Sequence, residues 1–181
     1  MNRYTTYAAE ALRLARLAAR HSGQELTGSE HILLGLLEEK EGTAGAILRK
    51  YGVRKEKLSD LIGELIAPKA EAVKNTEGLT PRAQAILENS AVQADLLKSA
   101  QIGTEHILLA LLVDVECVGT RLLHTLDVNI QRMYLETLKA MGVTEDQYRA
   151  IAKGTQKARD GEVSETPLLD RFSRDLTALA Q

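Results

Sequence analysis

The chain has 181 residues, of which 44% are apolar, 27% charged and 3% aromatic, with no Trp and a single Phe, Phe172. A net charge near −2 removes any broad electrostatic case for nucleic acid or an anionic membrane, and no run approaches the roughly 18 apolar residues a membrane span needs. With so few aromatics the core has to be aliphatic, which suits packed helices, and the lone Cys117 has no partner for an internal disulfide.

Cys117 reads as a small buried apolar residue. The opening MNRYTTYAAEAL is polar and passes directly into helical periodicity, unlike a signal peptide. A reduced, cytoplasmic setting is expected.

An internal repeat organises the chain. Shifted by 75 residues, positions 4–53 align with 79–128 without a gap, and 15 of the 50 pairs are identical. The strongest block is GSEHILLGLL at 28–37 against GTEHILLALL at 103–112. Two copies, rather than a long array, predict a pseudo-twofold all-α domain in which each copy has four helices.

In chain order, the first helix carries Ala8, Leu12, Ala15 and Ala19 on one stripe and ends near Ser22-Gly23. Its counterpart opens Thr80-Pro81-Arg82, a hydroxyl N-cap followed by proline at the first helical position; Thr5 takes the same role in the first copy. The second helix is expected to use Ser29 or Thr104 as its N-cap, with an acid in the first turn. Ile32, Leu33, Leu36 and Leu37, matched by Ile107, Leu108, Leu111 and Leu112, give it a wide apolar face, so it is expected at the centre. A short third helix runs from about Ala44 to Tyr51, with Gly52 at a left-handed C-terminal cap and Asp127 in its place in the second copy. The fourth carries Leu58, Leu61, Ile62, Leu65 and Ile66 and is stopped by Pro68; in the second copy it resumes after Asn129.

Residues 1–66 therefore form repeat one, 67–79 a polar connection, and 80–153 repeat two with an extra short helix from Glu145 to Lys153. Residues 154–181 are a linker and an amphipathic stretch, LLDRFSRDLTALAQ, that resembles the start of a further module.

Chemistry-bearing motifs are sparse. None of the 13 glycines is followed by lysine, so the Gly-Lys step of a phosphate-binding loop is missing. His21, His31, His106 and His124 have no Cys or His at metal-ligand spacing. No catalytic residue, metal or cofactor is expected. Neighbours on a helix point about 100° apart, so if His31 turns inward, Glu30 is expected to turn outward. Two readings of Glu30 and Glu105 stand side by side. In one, both serve helix starts only. In the other, Thr5 with Glu30 and Thr80 with Glu105, each 25 residues apart, form two sites for a ligand anionic at one end and cationic next to it.

The doubled G-(S/T)-E-H-I-L-L-(G/A)-L-L, each preceded by a helix starting (Y/L)-T-x-x-A, resembles the double Clp N-terminal repeat of ClpC-type AAA+ unfoldases, over residues 4 to about 141. TPLLDRFSRDLTALAQ resembles the segment that opens the first AAA+ ATPase module of that family. The resemblance implies an all-helical receiving domain that binds protein substrates and MecA-like adaptors and works with ClpP protease through ATPase modules beyond this fragment, itself monomeric. It also implies two equivalent phosphoarginine pockets, with the glutamate on the guanidinium and the threonine on the phosphate: Thr5 and Glu30 in one, Thr80 and Glu105 in the other. Ser29 in place of the usual threonine, and DVEC at 114–117 where the family's glycine-rich E-G-E-G survives as EKEG at 39–42 in the first copy, depart from the family pattern.

Overall fold

Each repeat opens on a threonine cap. In the computed structural model, which describes residues 3–65 and 78–150, the Thr5 hydroxyl accepts the Ala8 N–H at 3.2 Å and the Thr80 hydroxyl accepts the Ala83 N–H at 3.1 Å. From these caps run α1 (Thr6–His21) and α5 (Pro81–Leu96). Helix α1 closes at Gly23, whose φ of +66° lets the Gln24 N–H reach back to the Ala19 carbonyl. Lys98, at φ +55°, makes the same turn after α5 without the freedom of glycine.

A short parallel ladder then joins the repeats. Strand β1 (Leu26–Thr27) pairs with β2 (Gly78–Leu79), and the Thr80 N–H donates to the Thr27 carbonyl at 3.0 Å. The same contact recurs with the repeats exchanged: Tyr4 bridges Ile102, and the Thr5 N–H donates to the Ile102 carbonyl at 2.9 Å. Gly78 and Leu79, placed by sequence in the polar connection, are thus drawn into a strand because the backbone of 26–27 offers them partners. The rest of that connection, residues 67–77 with Pro68, lies outside the described residues, as does Ile66 at the expected end of the fourth helix.

The remaining helices are α2 (Ser29–Glu38), α3 (Thr43–Lys50) and α4 (Lys55–Leu65) in the first repeat. In the second they are α6 (Thr104–Val113), α7 (Val118–Thr125) and α8 (Ile130–Ala140). Helices α2 and α6 occupy the centre, as their wide apolar faces predict: Leu33, Leu36, Ile107, Leu108, Leu109, Leu111 and Leu112 are fully buried. Besides its own repeat, α2 packs on α6 and α7, and α6 packs on α3.

Helices α1 and α2 cross almost backbone to backbone. A β-carbon on Gly35 would overlap the Ala11 carbonyl oxygen and stand 2.8 Å from the Ala15 nitrogen. The stripe of Ala8, Ala11, Ala15 and Ala19 is what allows that approach. The second repeat has Ala110, Ile86 and Ser90 where the first has Gly35, Ala11 and Ala15, so the same crossing is filled by larger side chains.

Gly52 after α3 has φ +76°, and Asp127 after α7 has φ +59°, both in the expected left-handed cap. In α4, Leu58 and Ile62 are buried while Leu65 is 64% exposed, so the apolar face stops short of its last turn. Asn129 caps α8 by accepting the Arg132 N–H. Residues 145–150 are helical, at the start of the short helix expected from Glu145, and 151–181, including the linker and LLDRFSRDLTALAQ, lie outside the described residues. Met1–Thr137 form one compact unit and Leu138–Gln181 a second.

Candidate ligand-binding site

The Gly-(Ser/Thr)-Glu-His turn is built differently from its sequence expectation. The N-caps of α2 and α6 are Gly28 and Gly103, in extended backbone, and not Ser29 and Thr104. His31 and His106, three residues on, turn inward, and each Nδ1 accepts the cap glycine's N–H, at 3.0 and 2.9 Å. The histidine therefore does the work that glutamate or glutamine does in a capping box.

With Nδ1 acting as acceptor, the proton of the neutral ring sits on Nε2, which in both copies is buried with no partner among the described residues. Burial pushes both imidazoles below their ordinary pKa, outweighing the neighbouring carboxylates. The 3.5 Å approach of Glu30 Oε1 to His31 Nδ1 is consequently no ion pair: two lone pairs face each other. The same nitrogen cannot ligate a metal while it holds the glycine amide.

The freed hydroxyls of Ser29 and Thr104 reach across to the other repeat. Ser29 Oγ accepts the Gly119 N–H in the first turn of α7 at 3.1 Å, and Thr104 Oγ1 accepts the Ala44 N–H in the first turn of α3 at 3.3 Å. The caps of those helices differ. Gly42, before α3, donates its N–H to the Glu39 carboxylate. Cys117, before α7, is buried and accepts the Thr120 N–H on Sγ at 3.4 Å, so it is a cap as well as a core residue; burial raises its thiol pKa.

Glu30 does not turn outward as expected. It folds back over Gly28, where a β-carbon would stand 2.5 Å from either carboxylate oxygen, and is only 8% exposed. A β-carbon there would displace the carboxylate from this position. No hydrogen-bond donor among the described residues reaches the Glu30 carboxylate. Glu105 lies in the same way over Gly103, is less buried, and receives the Thr104 hydroxyl at 3.4 Å.

The strand ladder decides which threonine accompanies which glutamate. Thr80 is bonded to Thr27, three residues before Glu30, and Thr5 to Ile102, three residues before Glu105. Thr5 and Glu30 are separated by the 16 residues of α1, about 24 Å of helix, and by the turn that follows. The pairs are therefore Thr80 with Glu30 and Thr5 with Glu105, across the repeats and not within them. Equal sequence spacing could not reveal this, because it is satisfied by either arrangement.

Around Glu30 the starts of α2, α5 and α7 converge; around Glu105, those of α6, α1 and α3. Helix starts attract anions, and each cluster adds one carboxylate able to accept from a guanidinium. Sequence reasoning missed four participants. Gly28 and Gly103 make room for the carboxylates. Arg82 pairs with Asp114 at 2.7 Å, at the turn before α7. Thr27, whose buried hydroxyl has no partner among the described residues, lies in the strand that binds Thr80. Comparing the copies residue by residue would have exposed Arg82 against Tyr7 and Thr27 against Ile102.

This arrangement defines a double-repeat all-helical domain, and the comparisons with known proteins agree. The family model for the Clp repeat N-terminal domain matches residues 3–126 and again 78–177. The chain belongs to that family. It is 36% identical over 179 residues to the negative regulator of genetic competence ClpC/MecB of Bacillus subtilis, covering 99% of this chain and 21% of that protein. It is 34% identical over the same length to the ATP-binding subunit ClpC of the ATP-dependent Clp protease of Staphylococcus aureus, again covering 99% of this chain and 21% of the relative. The chain thus spans about a fifth of these relatives' length.

Among solved structures, the N-terminal domain of ClpD from Arabidopsis thaliana superposes with a TM-score of 0.64 at 19% identity, over 77% of this chain and 97% of that one. The ClpV N-domain in complex with a VipB peptide gives 0.60 at 18%, over 77% and 86%. Both likenesses show the fold. No helix of the described residues is long and apolar enough to cross a membrane.

Proposed function

We propose that this domain receives substrates and adaptors for a ClpC-like unfoldase in ATP-dependent proteolysis, and that it holds phosphoarginine-marked chains at two sites, Glu30 with Thr80 and Glu105 with Thr5. The observation that carries this reading is the Glu30 carboxylate: largely enclosed, still open to solvent, given no donor by the described residues, and set beside three helix starts. Phosphoarginine brings a guanidinium for the carboxylate and a phosphate for the N–H groups and threonine hydroxyl. Binding needs no bond-making, no cofactor and no metal. The reading extends to adaptors of the MecA type, to ClpP reached through ATPase modules and to a cytoplasmic setting, and the likeness to ClpC supports that extension.

Calorimetry with free phosphoarginine tests it. Two sites of micromolar affinity, lost in the Glu30→Ala, Glu105→Ala double variant, are expected; a folded sample that gives no heat would sink the reading. In that event the second reading holds, a helical scaffold that docks adaptor peptides alone. The peptide-bound ClpV N-domain of the same fold favours it as the alternative.

A further inference from the structure

We infer that the two sites are unequal, with the Glu30–Thr80 site the stronger for a phosphorylated guanidinium, and that Arg82 and Tyr7 set the difference. The inference rests on the phosphoarginine reading above.

A shift of 75 residues places Tyr7 where Arg82 stands. Arg82 lies in the first turn of α5, two residues past the Thr80 cap, and Asp114 holds one end of its guanidinium at the turn before α7. Its other N–H groups make no bond among the described residues, and its side chain is half exposed. An arginine fixed at one point with donors to spare beside a helix start is suited to a phosphate.

Tyr7, 49% exposed, offers no charge at the equivalent point. The cations on that side are placed otherwise. Arg3 is exposed on the segment before Thr5, beside Tyr4. Arg49 donates to the carbonyls of Leu37, Glu39 and Lys40 at the end of α2.

Two further differences point the same way. The Glu105 carboxylate already receives the Thr104 hydroxyl, whereas that of Glu30 receives none, so Glu30 has more acceptor capacity left for a guanidinium. At the strand position that bonds each threonine, Thr80 has Thr27, with a buried hydroxyl that no described residue partners, and Thr5 has Ile102. Anionic and cationic ends of the ligand are thus both better served at one site.

Single-site variants measure the difference. Phosphoarginine is titrated calorimetrically into Glu105→Ala, which leaves the Glu30 site, and into Glu30→Ala, which leaves the Glu105 site. The first is expected to bind about five- to tenfold more tightly, the scale of one added charge-assisted contact. On those backgrounds Arg82→Tyr should lose most of that advantage and Tyr7→Arg should gain it at the weaker site. Arg82 also holds Asp114, so melting curves accompany its variant; Tyr7 is exposed, and its variant carries the test if Arg82→Tyr unfolds. Equal affinities in the two single-site variants, or no gain from Tyr7→Arg, overturn the inference while leaving two-site binding intact. No heat from the folded wild-type chain removes the phosphoarginine reading, and this inference with it.

Discussion

Thr104 of the second repeat and Gly42 of the first fit one space: a β-carbon on Gly42 would stand 2.7 Å from Thr104 Oγ1 and 2.9 Å from Thr104 Cγ2. The mirror pair is Ser29 and Cys117. Where the reaching hydroxyl carries a methyl group, the facing cap is glycine; where it lacks one, the cap has room for a thiol. Ser29 and Cys117, which look like two separate departures from the family pattern, are one compensated exchange.

Gly42→Ala should therefore destabilise the domain by about 1–3 kcal/mol, as overpacking does. Thr104→Ser should recover part of the loss, the contact with Glu39 remaining. Likewise Ser29→Thr should be costly alone and tolerated with Cys117→Gly. Denaturant unfolding of each single and double variant measures the coupling, for which about 0.5–3 kcal/mol is typical of touching residues. Strict additivity would rule out the shared space.

Glu30→Gln separates the two meanings of that glutamate. If the carboxylate served the helix start, losing its charge would cost about 0.3–1 kcal/mol. Held for a ligand, it is a burden on the empty domain, and the variant should be as stable as wild type or more so while losing phosphoarginine binding at that site. Thermal melts with and without phosphoarginine read both quantities.

The buried histidines make stability depend on pH. Their folded-state pKa lies below the ordinary value of about 6.5, so between the two values the unfolded chain binds more protons. The contribution is complete above about pH 6.5, declines as pH falls below it, and stops declining below the folded-state pKa. Unfolding measured from pH 8 to pH 5 should show this slope. It should flatten in a His31→Gln, His106→Gln variant, in which glutamine keeps an acceptor for the cap amide. An unchanged slope would assign it to other groups.

Gly35→Leu should prevent α1 from seating on α2, since even a β-carbon overlaps the Ala11 carbonyl. The expected result is loss of the cooperative unfolding transition. Ala110→Gly, at the matching place in the second repeat, should cost about 1 kcal/mol through helix propensity. Comparable melts for the two variants would contradict the tighter first crossing.

Much of this fold could be read from residues alone, because the relevant signals are local. Thr-Pro starts, glycine caps and the leucine faces of α2 and α6 act within a turn or two of their own positions. What escaped depends on contacts between distant segments. Ser29 and Thr104 look like N-caps because a hydroxyl beside a helix start usually is one; only the position of α7 and α3 shows whose start they cap. Glu30 is expected to face outward from helical geometry, and folds back because Gly28 leaves space above its own backbone. The pairing of Thr80 with Glu30 is set by the strand ladder, which no spacing rule encodes.

The hydroxyl exchange and the crossed ladder bear on how such a chain could arise. A single repeat would leave the Ala44 amide and the 26–27 backbone without partners, yet two identical repeats would supply them to each other around a true twofold axis. That is the geometry of an isologous homodimer. Joining the two copies into one polypeptide would preserve every such contact while freeing each half to change against the other, and the exchange of Gly42 with Thr104 for Cys117 with Ser29 is a divergence that a fused pair permits and a homodimer does not.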